Sequence, residues 1–428
     1  MKIEGIYEIF KSHNVISTDT RKIEKGSLFF SLKGDNFNAN EFAKDAIEKG
    51  AAFAIIDEEK FKISDKYILV NNVLETLQQL ANYHRNQFSI PVIGITGSNG
   101  KTTTKEFINA VLSRKYKTTY TKGNLNNHIG VPLTLLSIPP DCEIAIIEMG
   151  ANHIKEIEFL CNIAEPNFGI ITNVGTAHIE GFGSPKGVKQ AKGELYKFIK
   201  SNNDKAFVNG DDETLMELSS NLNKITYGSS GADCNGILLS STPSLKLEWN
   251  NETIFSKLYG QYNFENILAA ICIGDYFDVP VNQIVNAIEN YEPTNNRSQI
   301  INIESNTIFL DAYNANPTSM NAAIDTFIDN QSKNKLMILG DMLELGSISQ
   351  DEHQKIVNKV KKTKINTLFV GSEFNSISNK HSFTYLKNVS EAVDWIKHSG
   401  LVDCQILIKG SRGIRLEGVV DYLQKKGS

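Results

Sequence analysis

The sequence predicts an α/β protein of three domains: a small N-terminal α/β unit, a central doubly wound parallel sheet and a C-terminal Rossmann-like α/β unit. Three observations lead to this fold class. At 428 residues the chain is too long for one compact core. Short β-branched runs alternate with helical stretches, which is typical of sheets covered by helices. A glycine-rich turn ending in Lys-Thr connects one of these runs to a helix.

The first predicted domain covers residues 1–88. Short apolar runs indicate its strands, and Gly50 stands where a helix would be expected to stop. Strands are expected at residues 27–32 and 52–56, and helices at residues 40–49 and 73–87. The last of these helices leads out of the domain.

The second predicted domain covers residues 89–293. Its strands are continuous β-branched runs of the kind that parallel sheets bury on both faces. They are expected at residues 91–96, 143–147, 168–172 and 205–208. Residues 228–258 have shorter alternating segments rich in Ser, Thr and Asn, and they predict a small antiparallel extension.

The third predicted domain covers residues 294–428. It begins near a polar, proline-containing segment at residues 291–296. The alternation of strands and helices then resumes, with strands expected at residues 307–310, 336–339, 367–370 and 405–408. This pattern predicts a second open α/β sheet.

Composition and charge exclude several classes of function. The net charge is −5, and acidic and basic residues are mixed along the chain, so no concentrated basic face for nucleic acid is expected. No apolar stretch approaches the roughly 18 residues of a membrane span, and the N-terminus lacks the apolar core of a signal peptide. The five scattered cysteines indicate free thiols in a reducing compartment. We therefore expect a cytoplasmic monomer without membrane insertion.

A phosphate loop is predicted directly after the strand at residues 91–96. Such a loop turns backbone N–H groups toward phosphates, and the following helix adds a favourable dipole. Lys101 would reach the β- and γ-phosphates of ATP, and Thr102 would be a ligand of Mg²⁺. The common P-loop pattern has a further glycine at the position of Ile95, so a chance turn is the alternative. The predicted ATP contacts here are Gly97, Ser98, Asn99, Gly100, Lys101, Thr102 and Thr103.

Three further residues are candidates for chemistry. Glu148 ends a predicted buried strand beside the loop, where either a Mg²⁺ ligand or a solvated carboxylate would be found. His178 follows another such strand and is a metal ligand or a structural hydrogen bonder. Lys192, judged from its neighbours alone, would be a lysine on a helix surface.

Several motifs, taken together and in order, resemble one family. They are Gly94–Thr103, Asn124–Pro132, Glu148–His153, His178 followed by Lys192, Gly260–Asn266, Asn296–Gln299, Asp311–Pro317, Gly340–Gly346 and Lys409–Arg412. This set is similar to that of the Mur ligases, the cytoplasmic enzymes that build the peptide stem of peptidoglycan precursors. The resemblance extends over all three predicted domains.

The resemblance is strongest to one branch of this family. Residues 311–317 read Asp-Ala-Tyr-Asn-Ala-Asn-Pro, as in the branch that joins D-alanyl-D-alanine to UDP-N-acetylmuramoyl-tripeptide. Branches that add a single amino acid typically have Asp-Tyr-Ala-His there. The resemblance implies an ATP- and Mg²⁺-dependent amide ligase that forms an acyl phosphate and releases ADP and phosphate. Its partners would be the UDP-linked tripeptide and the dipeptide.

The resemblance also assigns roles to individual residues. Lys101, His178 and Lys192 would be catalytic, and a carbamylated Lys192 would hold a second Mg²⁺ together with Glu148 and His178. The further ATP contacts would be Asn263 and Asn266 at the adenine, Arg297 at the γ-phosphate and Asp311 at the ribose. The closing face toward the dipeptide and phosphate would contain Asn314, Asn316, Lys409 and Arg412.

At the N-terminus, residues 17–21 and 26–30 resemble the UDP-sugar-binding domain of the family. Thr20 and Arg21 would contact the UDP substrate, although the usual Asp-Ser-Arg is Asp-Thr-Arg here. The usual His-Asp-Phe is replaced by Asn-Glu-Phe at residues 40–42, and the usual Gly-x-His-Asn is Gly-Gln-Tyr-Asn at residues 260–263.

Three alternative functions are considered. A Mur ligase that adds a single amino acid lacks the Tyr-Asn-Ala-Asn-Pro segment, and a folylpolyglutamate synthase lacks an N-terminal block like residues 1–88. A nucleotide-dependent binding module without ligase chemistry is the non-enzyme alternative. The presence of the loop and metal-site residues argues against it; these are Lys101, Thr102, Glu148, His178 and Lys192.

Overall fold

The computed structural model describes residues 1–175, 179–377 and 383–427. Its N-terminal part is a small α/β unit, as predicted. The elements are α1 (Ile3–Ser12), β1 (Ile16–Ser17), β2 (Leu28–Phe30), β3 (Lys33–Gly34), β4 (Phe37–Asn38), α2 (Ala43–Glu48), β5 (Phe53–Ile56), β6 (Tyr67–Leu69) and α3 (Val73–Arg85). A parallel sheet has the order β1-β2-β5-β6, and β3 and β4 form a separate antiparallel pair.

The central part contains the longest run of alternating elements. They are β7 (Val92–Thr96), α4 (Lys101–Leu112), β8 (Thr118–Tyr120), α5 (Gly130–Leu136), β9 (Ile144–Glu148), α6 (Glu156–Ala164), β10 (Phe168–Ile171), α7 (Ile179–Phe182), α8 (Pro185–Ser201), β11 (Lys205–Asn209), α9 (Glu213–Leu218), β12 (Asn223–Gly228), β13 (Cys234–Asn235), β14 (Ile237–Ser240), β15 (Lys246–Trp249), β16 (Glu252–Phe255), α10 (Asn263–Tyr276) and α11 (Val281–Glu289). The main sheet is parallel throughout, in the order β13-β12-β11-β10-β7-β9-β8.

The C-terminal part forms a third sheet. Its elements are β17 (Gln299–Ile303), β18 (Asn306–Asp311), α12 (Pro317–Asp329), β19 (Lys335–Gly340), α13 (Ser349–Lys361), β20 (Asn366–Val370), α14 (Ser372–Asn375), β21 (Thr384–Leu386), α15 (Val389–Ser399), β22 (Gln405–Lys409) and α16 (Glu417–Gly427). The order is β17-β18-β22-β19-β20-β21, and only the β17–β18 pair of the described strands in this sheet is antiparallel. A doubly wound sheet with helices on both faces matches the predicted fold class.

Both larger sheets are buried on their two faces. In β9, Ala145 and Ile147 belong to one apolar cluster and Ile144 and Ile146 to another, which is the period-two alternation of a strand between two helical layers. The C-terminal sheet shows the same alternation in β19. This burial explains why continuous apolar runs, and not alternating ones, marked the central strands.

The predicted antiparallel extension is confirmed in β14, β15 and β16, which pair with each other as an antiparallel sheet. The expected helix at residues 40–49 differs slightly, because residues 39–42 form a 3₁₀ turn before α2 begins. None of the described helices has the length and apolar character needed to cross a membrane. All five cysteines are buried free thiols.

Candidate active site

The phosphate loop lies between β7 and α4, at the carboxyl edge of the central sheet. Gly97 has φ 144° and Gly100 has φ 80°, both in the region that favours glycine. A Cβ atom at Gly97 would overlap Thr172 Oγ1, and one at Gly100 would lie 2.5 Å from Asn266 Oδ1. The glycine spacing is therefore required by the loop's own packing. The first N–H groups of α4 have no helical acceptors because they lie at the helix N-terminus, and such groups can bind an anion.

Lys101 is the first residue of α4 and lies over this loop. Its Nζ donates to the carbonyl oxygens of Gly97 at 2.6 Å and Ser98 at 3.3 Å. Desolvation lowers the pKa of Lys101, the nearby Glu148 opposes that shift, and the charge of Arg297 adds to it. An anionic phosphate at this position would stabilise the protonated lysine.

Glu148 ends β9 next to the loop and is 1% exposed. Its Oε1 accepts hydrogen bonds from Asn126 Nδ2 at 2.8 Å and Thr102 Oγ1 at 3.2 Å. Its Oε2 is buried without a hydrogen-bond partner among the described residues, and Lys105 Nζ lies 3.6 Å away. A buried carboxylate oxygen without a partner, beside a threonine hydroxyl, is suited to a hard cation such as Mg²⁺.

Lys105 was not singled out from the sequence. It lies on α4 four residues after Lys101, and its side chain is fully buried. Its Nζ also has no hydrogen-bond partner among the described residues. Its Nζ lies 3.6 Å from Glu148 Oε2, so the two buried side chains form an ion pair.

Lys192 does not lie on the helix surface that its immediate neighbours suggested. It is 1% exposed on α8, and burial lowers its pKa to about 7, with a smaller effect from the charge of Lys101. The signal in the sequence was the spacing of Val188, Ala191 and Leu195, which puts Lys192 on the apolar face of α8. An amine that is partly neutral at pH 7 can react with CO₂ to form a carbamate.

His178, the other predicted metal ligand, lies outside the described residues. In the described ranges, no group of three or more His, Cys, Asp or Glu side chains is arranged to hold a metal ion. A Mg²⁺ site here would therefore use Thr102, Glu148 and phosphate oxygens, with a carbamate on Lys192 as an added anionic group.

Asn263 and Asn266 lie in the first turn of α10, and Asn266 connects this helix to α4. Asn263 Nδ2 donates to Tyr259 O at 2.7 Å and Ser298 Oγ at 3.0 Å. Asn266 Nδ2 donates to Asn263 Oδ1, and its Oδ1 accepts from Thr104 Oγ1, both at 3.0 Å. Both asparagines line the cavity, and Asn266 lies directly against Gly100 of the loop.

The C-terminal sheet contributes charged residues to the cavity beside the phosphate loop. Lys409, 1% exposed at the end of β22, forms a 2.6 Å ion pair with Asp311 at the end of the neighbouring β18. Lys409 Nζ also donates to the carbonyl oxygen of Asn314 at 3.2 Å. The ends of two parallel strands therefore bring a fixed cation and anion to the cavity.

Asn316 joins the C-terminal sheet to the phosphate loop. Its side chain caps α12 by accepting from Ser319 N at 2.9 Å. Its Nδ2 also donates to Asn99 Oδ1 at 2.7 Å, across 217 positions of sequence. The Asn316 side chain therefore caps the start of α12 in the C-terminal part and also contacts the phosphate loop of the central part.

These residues line one cavity of about 710 Å³. Most of the predicted site residues are in it: Ser98, Asn99, Gly100, Lys101, Thr102, Thr103, Glu148, Asn263, Asn266, Arg297, Asp311, Asn314, Asn316 and Lys409. The cavity lining does not include Gly97, Lys192 or Arg412. It does include polar residues to which the sequence assigned no role: Asn124, Asn126, Asn127, His128, Asn152, His153, Tyr262 and Tyr313.

The two predicted UDP-substrate residues, Thr20 and Arg21, do not line this cavity. Arg21 has an 84% exposed side chain and pairs with Asp19 at 2.8 Å, and hydrogen bonds from Arg21 hold the Asp19 pKa well below its usual range. Thr20 shares the same short turn. A site for the distal, UDP part of a long substrate would fit this separation. Asn40, which replaces the usual histidine, is buried and donates to Asp57 at 2.8 Å.

Comparison with known proteins agrees with this arrangement. Residues 13–85 match the Mur ligase family catalytic domain, residues 95–274 the Mur ligase middle domain, and residues 296–412 the Mur ligase glutamate ligase domain. The chain is 35% identical to the UDP-N-acetylmuramoyl-tripeptide–D-alanyl-D-alanine ligase of Bacillus subtilis, over 97% of this chain and 94% of the relative.

Solved structures give the same result. MurF from Acinetobacter baumannii superposes with a TM-score of 0.83 at 31% identity, covering 96% of this chain and 93% of that one. MurF from Thermotoga maritima in complex with ADP gives a TM-score of 0.85 at 26% identity, covering 96% and 97%. This chain belongs to the Mur ligase family and, within it, to the MurF branch.

Proposed function

We infer that this protein joins D-alanyl-D-alanine to UDP-N-acetylmuramoyl-tripeptide at the expense of ATP, as its relatives are named for doing. The observation that supports this function best is that the phosphate loop, Glu148 and the Asp311–Lys409 pair line the same cavity. An ADP complex of a similar enzyme supports the use of ATP. The names of the relatives favour this reaction over the addition of a single amino acid or of glutamate to folate.

The chemistry requires that two anions meet. The terminal carboxylate of the tripeptide attacks the γ-phosphorus of ATP, so ADP leaves and an acyl phosphate forms. The amine of the dipeptide then attacks the acyl carbon, the C–O bond to phosphate breaks, and phosphate leaves. Lys101 and the N-terminus of α4 would lower the repulsion between carboxylate and triphosphate.

A magnesium requirement is part of the proposal. Thr102 would hold one ion near the phosphates, and a carbamate on Lys192 would help to hold a second, together with Glu148 and His178. Bound Mg²⁺ would supply positive charge against the β- and γ-phosphate oxygens. The Glu148 Oε2 atom, which has no hydrogen-bond partner among the described residues, and the lowered pKa of Lys192, about 7, support this assignment.

The C-terminal residues would exclude water from the acyl phosphate. Asn316 contacts the loop at Asn99, and Lys409 is held by Asp311 near Asn314. We propose that this face receives the dipeptide, with Arg412 at its outer edge. Asp311, at the end of β18, would meet the ribose hydroxyls, and Asn263 and Asn266 would meet the adenine side.

We further propose a division of labour among three domains. Residues 1–88 would bind the UDP end of the substrate with Thr20 and Arg21, residues 89–293 would bind ATP, and residues 294–428 would close over it. A monomer is proposed because one chain supplies every described wall of the cavity. A cytoplasmic location is proposed because the five buried cysteines are all unpaired.

Phosphate release tests this function. The purified chain should release phosphate from ATP only when both a UDP-linked tripeptide and D-alanyl-D-alanine are present, and mass spectrometry should detect the pentapeptide product. Tripeptides ending in lysine and in diaminopimelate should be compared. Turnover with free D-alanine in place of the dipeptide would favour the single amino acid branch. Nucleotide binding without turnover would favour a binding module.

A further inference from the structure

Tyr313 is a cavity residue that the reaction outlined above does not use. It follows β18 by two residues, and its side chain is partly buried. The guanidinium carbon of Arg297 lies 3.7 Å from the centre of its ring, and that of Arg412 lies 5.3 Å from it. Arg412 Nη1 also donates to the Tyr313 hydroxyl at 3.4 Å. Two cations therefore meet one aromatic ring.

Within the part of the chain that the structure describes, Arg297 lacks the hydrogen-bond and acidic partners that usually hold an arginine side chain in a cavity. Its Nε is buried and has no hydrogen-bond partner among the described residues. Its charge lowers the pKa of Lys101, so the two cations are close enough to repel each other. The ring of Tyr313, with its centre 3.7 Å from the guanidinium carbon, packs against this group.

Because the described partner of Arg297 is an aromatic ring and not a carboxylate, its N–H groups remain available to a ligand. A carboxylate partner would occupy the N–H donors at the edge of the guanidinium and cancel its charge. An aromatic ring at 3.7 Å contacts the face instead and leaves those donors free. Free donors on a planar fork fit the oxygens of a phosphate group.

We propose that Tyr313 is a positioning residue that holds Arg297 face-on against its ring, so that the guanidinium edge points at the terminal phosphate of ATP. This rests on the proposed use of ATP and on the γ-phosphate contact that the family resemblance implies for Arg297. The hydroxyl contact with Arg412 is secondary, because that arginine is exposed and does not line the cavity.

The test compares two nucleotides that differ in the γ-phosphate. Binding of ADP and of AMP-PNP to the full chain, each with excess Mg²⁺, should be measured by calorimetry for Tyr313→Leu and Tyr313→Phe. Loss of the ring should weaken AMP-PNP binding about five- to tenfold and change ADP binding less than about twofold. Tyr313→Phe keeps the ring and should bind both nucleotides as the unaltered chain does.

Several results would overturn the proposal. They are an unchanged AMP-PNP affinity in Tyr313→Leu, equal weakening of both nucleotides, or the same loss in Tyr313→Phe. Retained ADP binding shows in the same experiment that the variant is folded.

An Arg297→Met background separates this proposal from the proposed function. If Arg297→Met leaves the ratio of AMP-PNP to ADP affinity unchanged, the γ-phosphate role of Arg297 fails, whatever Tyr313 does. If Arg297→Met lowers that ratio, Tyr313→Leu should add no further change in this background. An additional fall in the ratio would show that the ring acts independently of Arg297, and would contradict the proposal.

Discussion

The lysines of this site show how the fold alters the chemistry of one residue type. Lys101 lies over the phosphate loop, Lys105 is fully buried beside Glu148, and Lys192 is buried with a pKa lowered to about 7. A surface lysine would remain protonated at any physiological pH. The three positions suit three different roles, which we propose to be phosphate contact for Lys101, counter-charge to Glu148 for Lys105 and reactive amine for Lys192.

Lys101→Met should abolish phosphate release in the presence of both substrates. Removing the cation leaves the approach of carboxylate and triphosphate uncompensated, so we expect a loss of about 100-fold or more. The exposed Lys44→Met is the matched control and should keep normal turnover. Near-normal phosphate release in the Lys101 variant would mean that the loop assignment is wrong.

Lys192 should carry a carbamate whose amount depends on pH. Its folded-state pKa of about 7 is below the ordinary value, so the amine is mostly neutral and reactive above pH 7 and mostly protonated below it. With ¹³C-labelled bicarbonate, NMR should show a carbamate carbon at pH 8 that fades as the pH falls through 7. Lys192→Ala should lack the signal, and added short carboxylates should partly restore its activity. A signal of equal size in Lys192→Ala would contradict the assignment.

The residues of the phosphate loop could be predicted from the sequence because they lie within one short, continuous segment. Sequence reasoning gave Lys192 a role only through family resemblance, although Val188, Ala191 and Leu195 mark the same helix face as apolar. Tyr313 and Lys105 were not assigned at all. Their roles depend on Arg297 and Glu148, which lie 16 and 43 positions away in the chain, and no local pattern carries that information.

At the scale of elements, the strand–loop–helix unit of β7 and α4 forms the proposed nucleotide site. Gly97→Ala should cost about 1–3 kcal/mol of unfolding free energy, because φ is 144° and the new Cβ would overlap Thr172. It should also weaken ADP binding at least about tenfold, because the loop can then no longer keep its shape. Thermal denaturation and calorimetry would measure the two effects.

Gly26→Ala is the control for this prediction. Gly26 has φ 85°, but an added Cβ would meet no atom within 4 Å. The variant should lose about 1 kcal/mol of stability and keep its affinity for ADP. If both variants bound ADP equally well, loop shape would not determine nucleotide binding.

The elements differ in how far sequence predicts them. Strands buried on both faces, such as β7, β9 and β10, were predicted within one or two residues because they are continuous apolar runs. The edge strands β8 and β21 were missed, since their residues are half-buried and polar or mixed. Neighbouring chain segments, and not the strand's own composition, decide where such edges form.

At the scale of the molecule, the cavity is assembled from the second and third sheets. The Asn316–Asn99 hydrogen bond joins them at the phosphate loop. Asn316→Ser keeps a capping oxygen for α12 but removes this bond, so kcat/KM should fall about two- to tenfold with the melting temperature nearly unchanged. Asn321→Ser, on the same helix, should leave kcat/KM intact. Equal activity of the two variants would refute a role for this contact.

We propose that the phosphate loop holds ATP while the substrate carboxylate becomes an acyl phosphate. This proposal is tested most directly by placing ¹⁸O in both terminal carboxylate oxygens of the UDP-linked tripeptide and analysing the released phosphate by mass spectrometry. The account predicts one ¹⁸O atom in each phosphate, because the carboxylate oxygen that attacked the γ-phosphorus leaves with it. Phosphate that carries no ¹⁸O from the substrate would contradict the account.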